Sequence, residues 1–138
     1  MTTRPASLMF LSAAALAAAS WIAVLDARAA QMKNASEGVY TEAQATRGRD
    51  LYDSSCASCH ELSKFKGPDF MNAWSDKPMT ELHTAVMSMP MDAPGSMSPQ
   101  EYADIIAYFL NLNGYKAGSA ELAGTEDAIK AIKIDAKQ

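Results

Sequence analysis

The sequence predicts an all-α fold of three to five helices. Two segments combine an N-terminal capping signal with apolar residues at helical spacing, and no strand pattern of any length is present. The chain has 138 residues, 49% of them apolar and 20% charged, which is enough for one globular domain. Its net charge of −4 and the lack of a basic run argue against nucleic-acid binding.

The N-terminus has the three parts of a signal peptide. Arg4 gives it a positive start, an apolar run rich in Ala and Leu covers 8–25, and Ala27 and Ala29 fit the small-x-small rule for cleavage. We therefore predict a signal peptide over 1–29 that is cleaved after Ala29, which leaves no membrane span and exports the mature protein to an oxidising compartment. An uncleaved membrane anchor is the alternative.

The first helix follows a polar segment, 30–40, which we predict to be a flexible lead-in. Thr41 and Gln44 stand at the spacing of a capping box, and the helix is expected to end near Ser55. Gly48 lies in its middle, where glycine costs about 1 kcal/mol relative to alanine. Such a glycine indicates that another helix approaches closely at this point.

The middle of the chain is predicted to be less regular. Segment 61–75 is expected to be irregular because Gly67 and Pro68 break regular structure. A short helix is predicted over about 78–88, with apolar residues at helical spacing. Segment 89–95 cannot be regular, since it contains two prolines and a glycine.

The strongest helix signal comes next. Ser98 is the predicted N-cap, Pro99 the first helical residue, and Glu101 completes a capping box. Asn113 and Gly114 end the helix. One apolar stripe is formed by Tyr102, Ile105, Ile106, Phe109 and Leu110.

The last residues, 115–138, are predicted to form a C-terminal extension packed on the domain. Thr125 is the expected cap of a short helix there, with Ile129 and Ile132 on one face.

Both cysteines of the chain fall in one segment, Cys56-Ala57-Ser58-Cys59-His60. The C-x-x-C-H spacing is the attachment signature of a c-type haem. Two thiols three positions apart can reach the two vinyl groups of one haem and form thioethers, and the adjacent histidine is then placed under the iron as a ligand. The sequence therefore predicts one covalently attached haem c.

Two other types of site share the C-x-x-C spacing. A redox dithiol of the thioredoxin type needs a βαβ context, which the sequence lacks. A zinc site needs two further ligands, and only His83 remains as a nitrogen donor. Both alternatives are therefore disfavoured.

A second axial ligand for the iron is predicted at Met89. This residue precedes Pro90 in a loop that Pro90 and Pro94 make rigid, so its thioether can be held in place without helical hydrogen bonds. Met91 is the main rival because it lies two residues away.

Three further candidates are expected to have other roles. Met97 precedes the cap at Ser98 and is expected to pack there, while Met87 is expected in the helix core. His83 is expected to face solvent or to make a polar contact.

These features resemble the class I, monohaem cytochromes c of the bacterial periplasmic type, over essentially the whole mature chain. Gly48 and Tyr52 match the first helix of that family at the point where it crosses the last helix, and Ile105 and Tyr108 match the last helix. In similar bacterial proteins the methionine before the proline is the axial ligand, which corresponds to Met89. The resemblance implies the class I cytochrome c fold, with its helices wrapped around one haem and the domain spanning 41–114.

The resemblance also implies two further haem-binding residues. Pro68 matches a proline whose carbonyl accepts a hydrogen bond from the proximal histidine, here His60, which would fix the imidazole ring. Trp74 resembles a family tryptophan near the haem propionates, with plain core packing as its alternative.

With His60 and Met89 both bound to iron, no position is open for a substrate. We therefore predict a one-electron carrier and not an enzyme, acting between unidentified donor and acceptor proteins as a monomer. The alternative is a haem subunit of a larger periplasmic oxidoreductase, such as a quinoprotein dehydrogenase. A gas or redox sensor with an open iron is a third hypothesis, which requires that Met89 does not bind.

Overall fold

The computed structural model describes residues 32–137, so the predicted signal peptide lies outside the described residues. Five α-helices make up most of the regular structure of this part of the chain, which confirms the all-α prediction. Within it, no helix is long and apolar enough to cross a membrane. The helices are α1 Glu42–Ser55, α2 Gly67–Trp74, α3 Met79–Met87, α4 Pro99–Leu112 and α5 Glu126–Lys130, with 3₁₀ turns at Ala35–Glu37 and Leu62–Phe65.

Helices α1 and α4 begin at the predicted caps. The Thr41 side chain accepts a hydrogen bond of 3.2 Å from the backbone N–H of Gln44. The N–H of Ser98 donates to the Glu101 carboxylate at 2.7 Å, and the N–H of Glu101 donates to the Ser98 hydroxyl at 3.3 Å. Each such cap satisfies backbone donors that the helix leaves unpaired and stabilises it by about 1 kcal/mol.

The predicted close approach at Gly48 is confirmed. A Cβ atom at this position would lie 1.8 Å from the carbonyl oxygen of Asp104, so the backbones of α1 and α4 meet with no room for a side chain. Helix α4 is buried at every position from 102 to 110, more than the single predicted stripe. It lies at the centre of the domain, because it packs against α1 and also against α3.

The segment predicted to be irregular over 61–75 contains helix α2, so that prediction is wrong. Gly67 and Pro68 begin this helix and do not break it, because a proline in the first turn needs no N–H partner. Asn113 fixes its start: its side chain accepts from the N–H of Gly67 at 2.8 Å and donates to the carbonyl of Phe65 at 2.8 Å. Helix α3 lies where it was predicted.

A small three-stranded sheet has no counterpart in the sequence analysis. Its strands are β1 Lys33–Asn34, β2 Lys77–Pro78 and β3 Ile132–Ile134, in the order β1-β3-β2. Strand β1 pairs with β3 in parallel, and β2 pairs with it antiparallel. The prediction that Ile132 continues the last helix is wrong, because α5 ends at Lys130. Strands of two or three residues are too short to produce a readable alternation.

The two ends of the described chain contact each other. In the segment expected to be a flexible lead-in, Ala35 and Tyr40 are fully buried. The Tyr40 hydroxyl donates to the carbonyl of Tyr115, and the N–H of Ser36 donates to the Asp135 carboxylate at 3.0 Å. Contacts between residues this far apart in sequence cannot be read from local composition.

A buried polar cluster ties the C-terminal extension to the crossing of α1 and α4. The amide of Gln44 donates to Asp104 at 2.9 Å and to the carbonyl of Leu122 at 2.8 Å. Arg47 and Gln100 donate to the same carboxylate at 2.9 and 3.0 Å. Burial alone would raise the pKa of Asp104, but the hydrogen bonds and the Arg47 charge together lower it. Its ionised form is therefore the one that the fold favours.

We expect Asp104→Asn to lower the free energy of unfolding at pH 7 by about 1–3 kcal/mol. Because the pKa of Asp104 is lower in the folded than in the unfolded protein, its contribution is fully present above the unfolded value of about 3.9. The contribution is lost as the pH falls through the folded value. Denaturant titrations of the haem-loaded protein between pH 7 and pH 3 measure this effect. The free energy of unfolding of the variant should fall less steeply than that of the wild type as the pH decreases.

Asp50→Asn is the matched control, because Asp50 is exposed on α1 and, among residues 32–137, its one ion pair is with Arg49 at 3.6 Å. It should behave as the wild type, since exposed ion pairs contribute little. If the free energy of unfolding falls equally with decreasing pH in the wild type and in Asp104→Asn, the role given to the cluster is contradicted.

Candidate functional site

The C-x-x-C-H segment forms a tight turn directly after α1. The N–H groups of Cys56 and Ala57 both donate to the carbonyl of Tyr52, at 2.8 and 3.0 Å. The N–H groups of Cys59 and His60 then donate to the carbonyl of Cys56, at 3.1 and 3.0 Å. Neither cysteine is in a disulfide bond, and burial raises the pKa of the half-buried Cys56. One turn of backbone thus presents two thiols and an imidazole together.

Aromatic side chains hold His60 in place. The Tyr52 hydroxyl, on a nearly fully buried side chain, donates to the carbonyl of His60 at 2.7 Å. The His60 ring meets Phe65 edge-on with centroids 5.6 Å apart, and Phe65 stacks on Phe109 at 4.6 Å with the planes 4° apart. The position of the imidazole therefore depends on α1, on the turn before α2 and on α4.

Two adjacent cavities meet at this segment. The inner cavity, about 180 Å³, is walled almost entirely by apolar side chains; its lining is Cys56, His60, Phe65, Trp74, Leu82, Ala85, Val86, Met89, Ile105 and Phe109. The outer cavity, about 740 Å³, is lined by Ser55, Cys56, Ser58, Cys59, His60, Met89, Pro90, Met91 and Asp92.

Three residues, Cys56, His60 and Met89, line both cavities and so stand at their common boundary. The lining fits a haem, because apolar side chains can enclose the flat ring while a thiol, an imidazole and a thioether face it.

Met89 is held in its loop by backbone contacts. Its N–H donates to the carbonyl of Val86 at 3.0 Å, and its carbonyl accepts from the Tyr102 hydroxyl at 3.1 Å. The same hydroxyl accepts from the N–H of Met97 at 3.4 Å, so Tyr102 connects the two ends of the loop. Met91, the predicted rival, lines only the outer cavity and is 82% exposed.

The other predicted residues are placed as follows. Trp74 lines the inner cavity, with the Lys77 ammonium 5.7 Å from the centre of its ring. Pro68 lies in the first turn of α2 and lines neither cavity. Met97 packs against the core as expected. His83 and Met87 line a separate cavity and do not meet His60.

Several wall residues escaped the sequence analysis as site residues. The sequence predicts Ile105 and Phe109 on the apolar stripe of the last helix, but no sequence feature indicates that this stripe faces a ligand. Phe65 lies in a segment predicted to be irregular. Tyr102, which is bonded to the Met89 loop and lines neither haem-site cavity, is predicted only as part of the apolar stripe. A tyrosine at the first turn of α4, just after a proline-rich loop, is a signal that could have indicated a loop anchor.

Comparison with known families identifies the domain. Residues 43–109, just under half of the chain, match the family model described as cytochrome C oxidase, cbb3-type, subunit III. Comparisons with curated proteins and with solved structures found no match. The matched residues contain the C-x-x-C-H segment and the crossing helices, and a cytochrome c domain of this kind carries a covalently bound c-type haem, as predicted. The match supports a monohaem c-type cytochrome domain of mostly helical fold, which indicates an electron-transfer haem protein.

Proposed function

We propose that this cytochrome is a periplasmic one-electron carrier whose haem iron is bound by His60 and Met89. The observation that carries the proposal is the shared boundary of the two cavities, where Cys56, His60 and Met89 meet. An imidazole nitrogen and a thioether sulfur are the two axial donors of a closed, six-coordinate haem.

The neighbouring residues have supporting roles in this proposal. Cys56 and Cys59 would form the two thioether bonds to the haem, and the carbonyl of Pro68 would orient the His60 imidazole, as the family resemblance implies. Trp74 lines the inner cavity, and its indole N–H would donate to a haem propionate.

A c-type haem in this site supplies one-electron exchange. Because the chain itself provides both axial donors, no coordination position is left for a substrate, and the site favours electron transfer over catalysis. The neutral thioether of Met89 favours the ferrous state. The apolar inner wall excludes water from that side of the ring.

Electrons are exchanged at the outer cavity. Cys59, Met91 and Asp92 are exposed there, so this edge of the site reaches solvent and is open to donor and acceptor proteins. A carrier must release each partner after transfer, which a small interface allows. The predicted signal peptide over 1–29 supports action in the periplasm.

Visible spectra of the reduced and oxidised full-length protein, matured in a host that attaches c-type haem, test the proposal. We expect a low-spin haem, a weak long-wavelength band from the bond between sulfur and ferric iron, and no carbon monoxide binding. A high-spin spectrum with ready carbon monoxide binding would overturn it in favour of a sensor.

The same preparation separates a free carrier from a subunit. A monomer in gel filtration supports the carrier, whereas co-purification with a dehydrogenase at fixed stoichiometry would support the alternative of a haem subunit.

We expect Tyr102→Phe to weaken the bond from Met89 to iron. The variant loses both hydrogen bonds that join the ends of the loop, at 3.1 and 3.4 Å, on a side chain that is 1% exposed. A loss of about 1–2 kcal/mol corresponds to roughly tenfold easier displacement of the thioether. Titration of the ferric protein with imidazole measures this displacement.

Tyr108→Phe serves as the matched control, because Tyr108 is also on α4 and buried but does not contact the Met89 loop through a hydrogen bond among the described residues. Its imidazole affinity should equal that of the wild type. If the imidazole affinity of Tyr102→Phe also equals that of the wild type, Tyr102 does not anchor the loop.

A further inference from the structure

A third cavity, of about 500 Å³, shares no lining residue with the two haem-site cavities. Its wall combines residues of α3, of the loop before α4 and of the C-terminal extension. This wall carries an imidazole from His83 and two thioethers, from Met87 and Met97, together with the Tyr102 hydroxyl and the Glu126 carboxylate. The electron-transfer role uses none of His83, Met87 and Met97 as ligands.

His83 has an unused donor atom. Its Nε2 is buried and, among residues 32–137, has no hydrogen-bond partner. Burial also lowers the pKa of His83, which keeps the imidazole neutral and able to bind a metal. A buried nitrogen without a partner is costly, so its position favours contact with a group other than residues 32–137.

The two thioethers approach the cavity from different elements. Met87 follows His83 by four residues on α3, a spacing that places both side chains on one face of a helix. Met87 is 39% exposed, which leaves a path from solvent. Met97 comes from the loop before α4 and packs against the core.

The chemistry of this donor set selects the ligand. Glu126 also lines the cavity, but its carboxylate pairs with Lys130 at 2.6 Å, so the free donors are uncharged. No group of three or more His, Cys, Asp or Glu side chains suited to a metal is found in the described residues, which disfavours a hard cation. Thioethers with imidazole are soft donors that select Cu(I). We propose that His83, Met87 and Met97 form a binding site for one Cu(I) ion.

The test uses the reduced, haem-loaded protein under anaerobic conditions, so that neither haem iron nor copper changes oxidation state. Cu(I) is offered in competition with bicinchoninate, whose copper complex is coloured. We expect the wild-type protein to bind one Cu(I). Cu(I) binding by His83→Ala and by Met87→Leu should each be weaker by at least roughly tenfold to hundredfold, which is the loss seen when a residue that only supports a metal ligand is removed.

Met32→Leu is the matched control, because Met32 is 47% exposed and lines none of the cavities. Its copper affinity should equal that of the wild type. Met87→Leu nearly conserves side-chain volume, so it remains informative if His83→Ala disturbs the fold, which the haem spectrum of each variant checks.

Failure of the wild type to retain Cu(I) against the chelator would overturn the proposal and leave water as the partner of His83. Unchanged binding by both variants would overturn it as well. The readout is copper stoichiometry, so this result is independent of whether Met89 binds the haem iron.

Discussion

Replacing Met89 by alanine is expected to open one axial position of the haem iron. The thioether of Met89 stands at the boundary of the two cavities, and no other methionine of the described residues lines the inner cavity, so its removal leaves that wall without a second axial donor. We expect the long-wavelength band to disappear, the ferric haem to become partly high-spin, and the ferrous haem to bind carbon monoxide. The reduction potential should fall, because the thioether favours ferrous iron.

Met91→Ala is the matched control for this prediction. Met91 lies two residues away in the same loop but is 82% exposed and lines only the outer cavity. Its spectra and carbon monoxide behaviour should equal those of the wild type. The opposite result, with the band lost in Met91→Ala and kept in Met89→Ala, would reassign the axial ligand. An unchanged spectrum in both variants would remove methionine ligation altogether.

Local signals explain why the main helices could be predicted. The caps at Thr41 and Ser98 act within three residues of themselves, and the apolar spacing of α4 lies within a single helix. Gly48 was informative for a related reason, since a glycine inside a helix has a cost that only a close contact offsets. The C-x-x-C-H segment is equally local, because its chemistry is contained in five consecutive residues.

Contacts distant in sequence explain what could not be predicted. Helix α2 is fixed by Asn113, which bonds Gly67 and Phe65 from the end of α4. Strand β1 exists only because β3, almost a hundred residues later, lies beside it. Neither interaction leaves a pattern in the segment that it orders.

Some residues of the candidate site could likewise be predicted from local signals, whereas others depend on contacts distant in sequence. Cys56, Cys59 and His60 are predicted from one motif, and Met89 is predicted from the prolines around it. The stacking of Phe65 on Phe109, in contrast, depends on how the turn before α2 packs on α4. Tyr102 joins the ends of a loop whose path is set by prolines at 90 and 94, and its two hydrogen bonds can be seen only once that path is known.

Gly48→Ala is expected to destabilise the folded protein by about 3 kcal/mol or more. Helix propensity alone favours alanine by about 1 kcal/mol, so the expected sign is set by packing. The added Cβ would lie 1.8 Å from the carbonyl oxygen of Asp104 and 2.4 Å from its carbon, and these are backbone atoms that cannot move without separating the helices. Denaturant unfolding of the haem-loaded protein measures the effect.

Asp53→Ala is the control for propensity, because Asp53 is exposed on α1 and its replacement leaves the crossing intact. The free energy of unfolding should be unchanged or slightly higher for this variant. A Gly48→Ala protein as stable as the wild type would mean that the backbones of α1 and α4 do not meet at this point.

Because α1 leads directly into Cys56 and α4 supplies Phe109 to the inner cavity, separating the two helices also moves the cavity wall away from the turn that attaches the haem. The same variant should therefore mature with a smaller fraction of attached haem than Asp53→Ala.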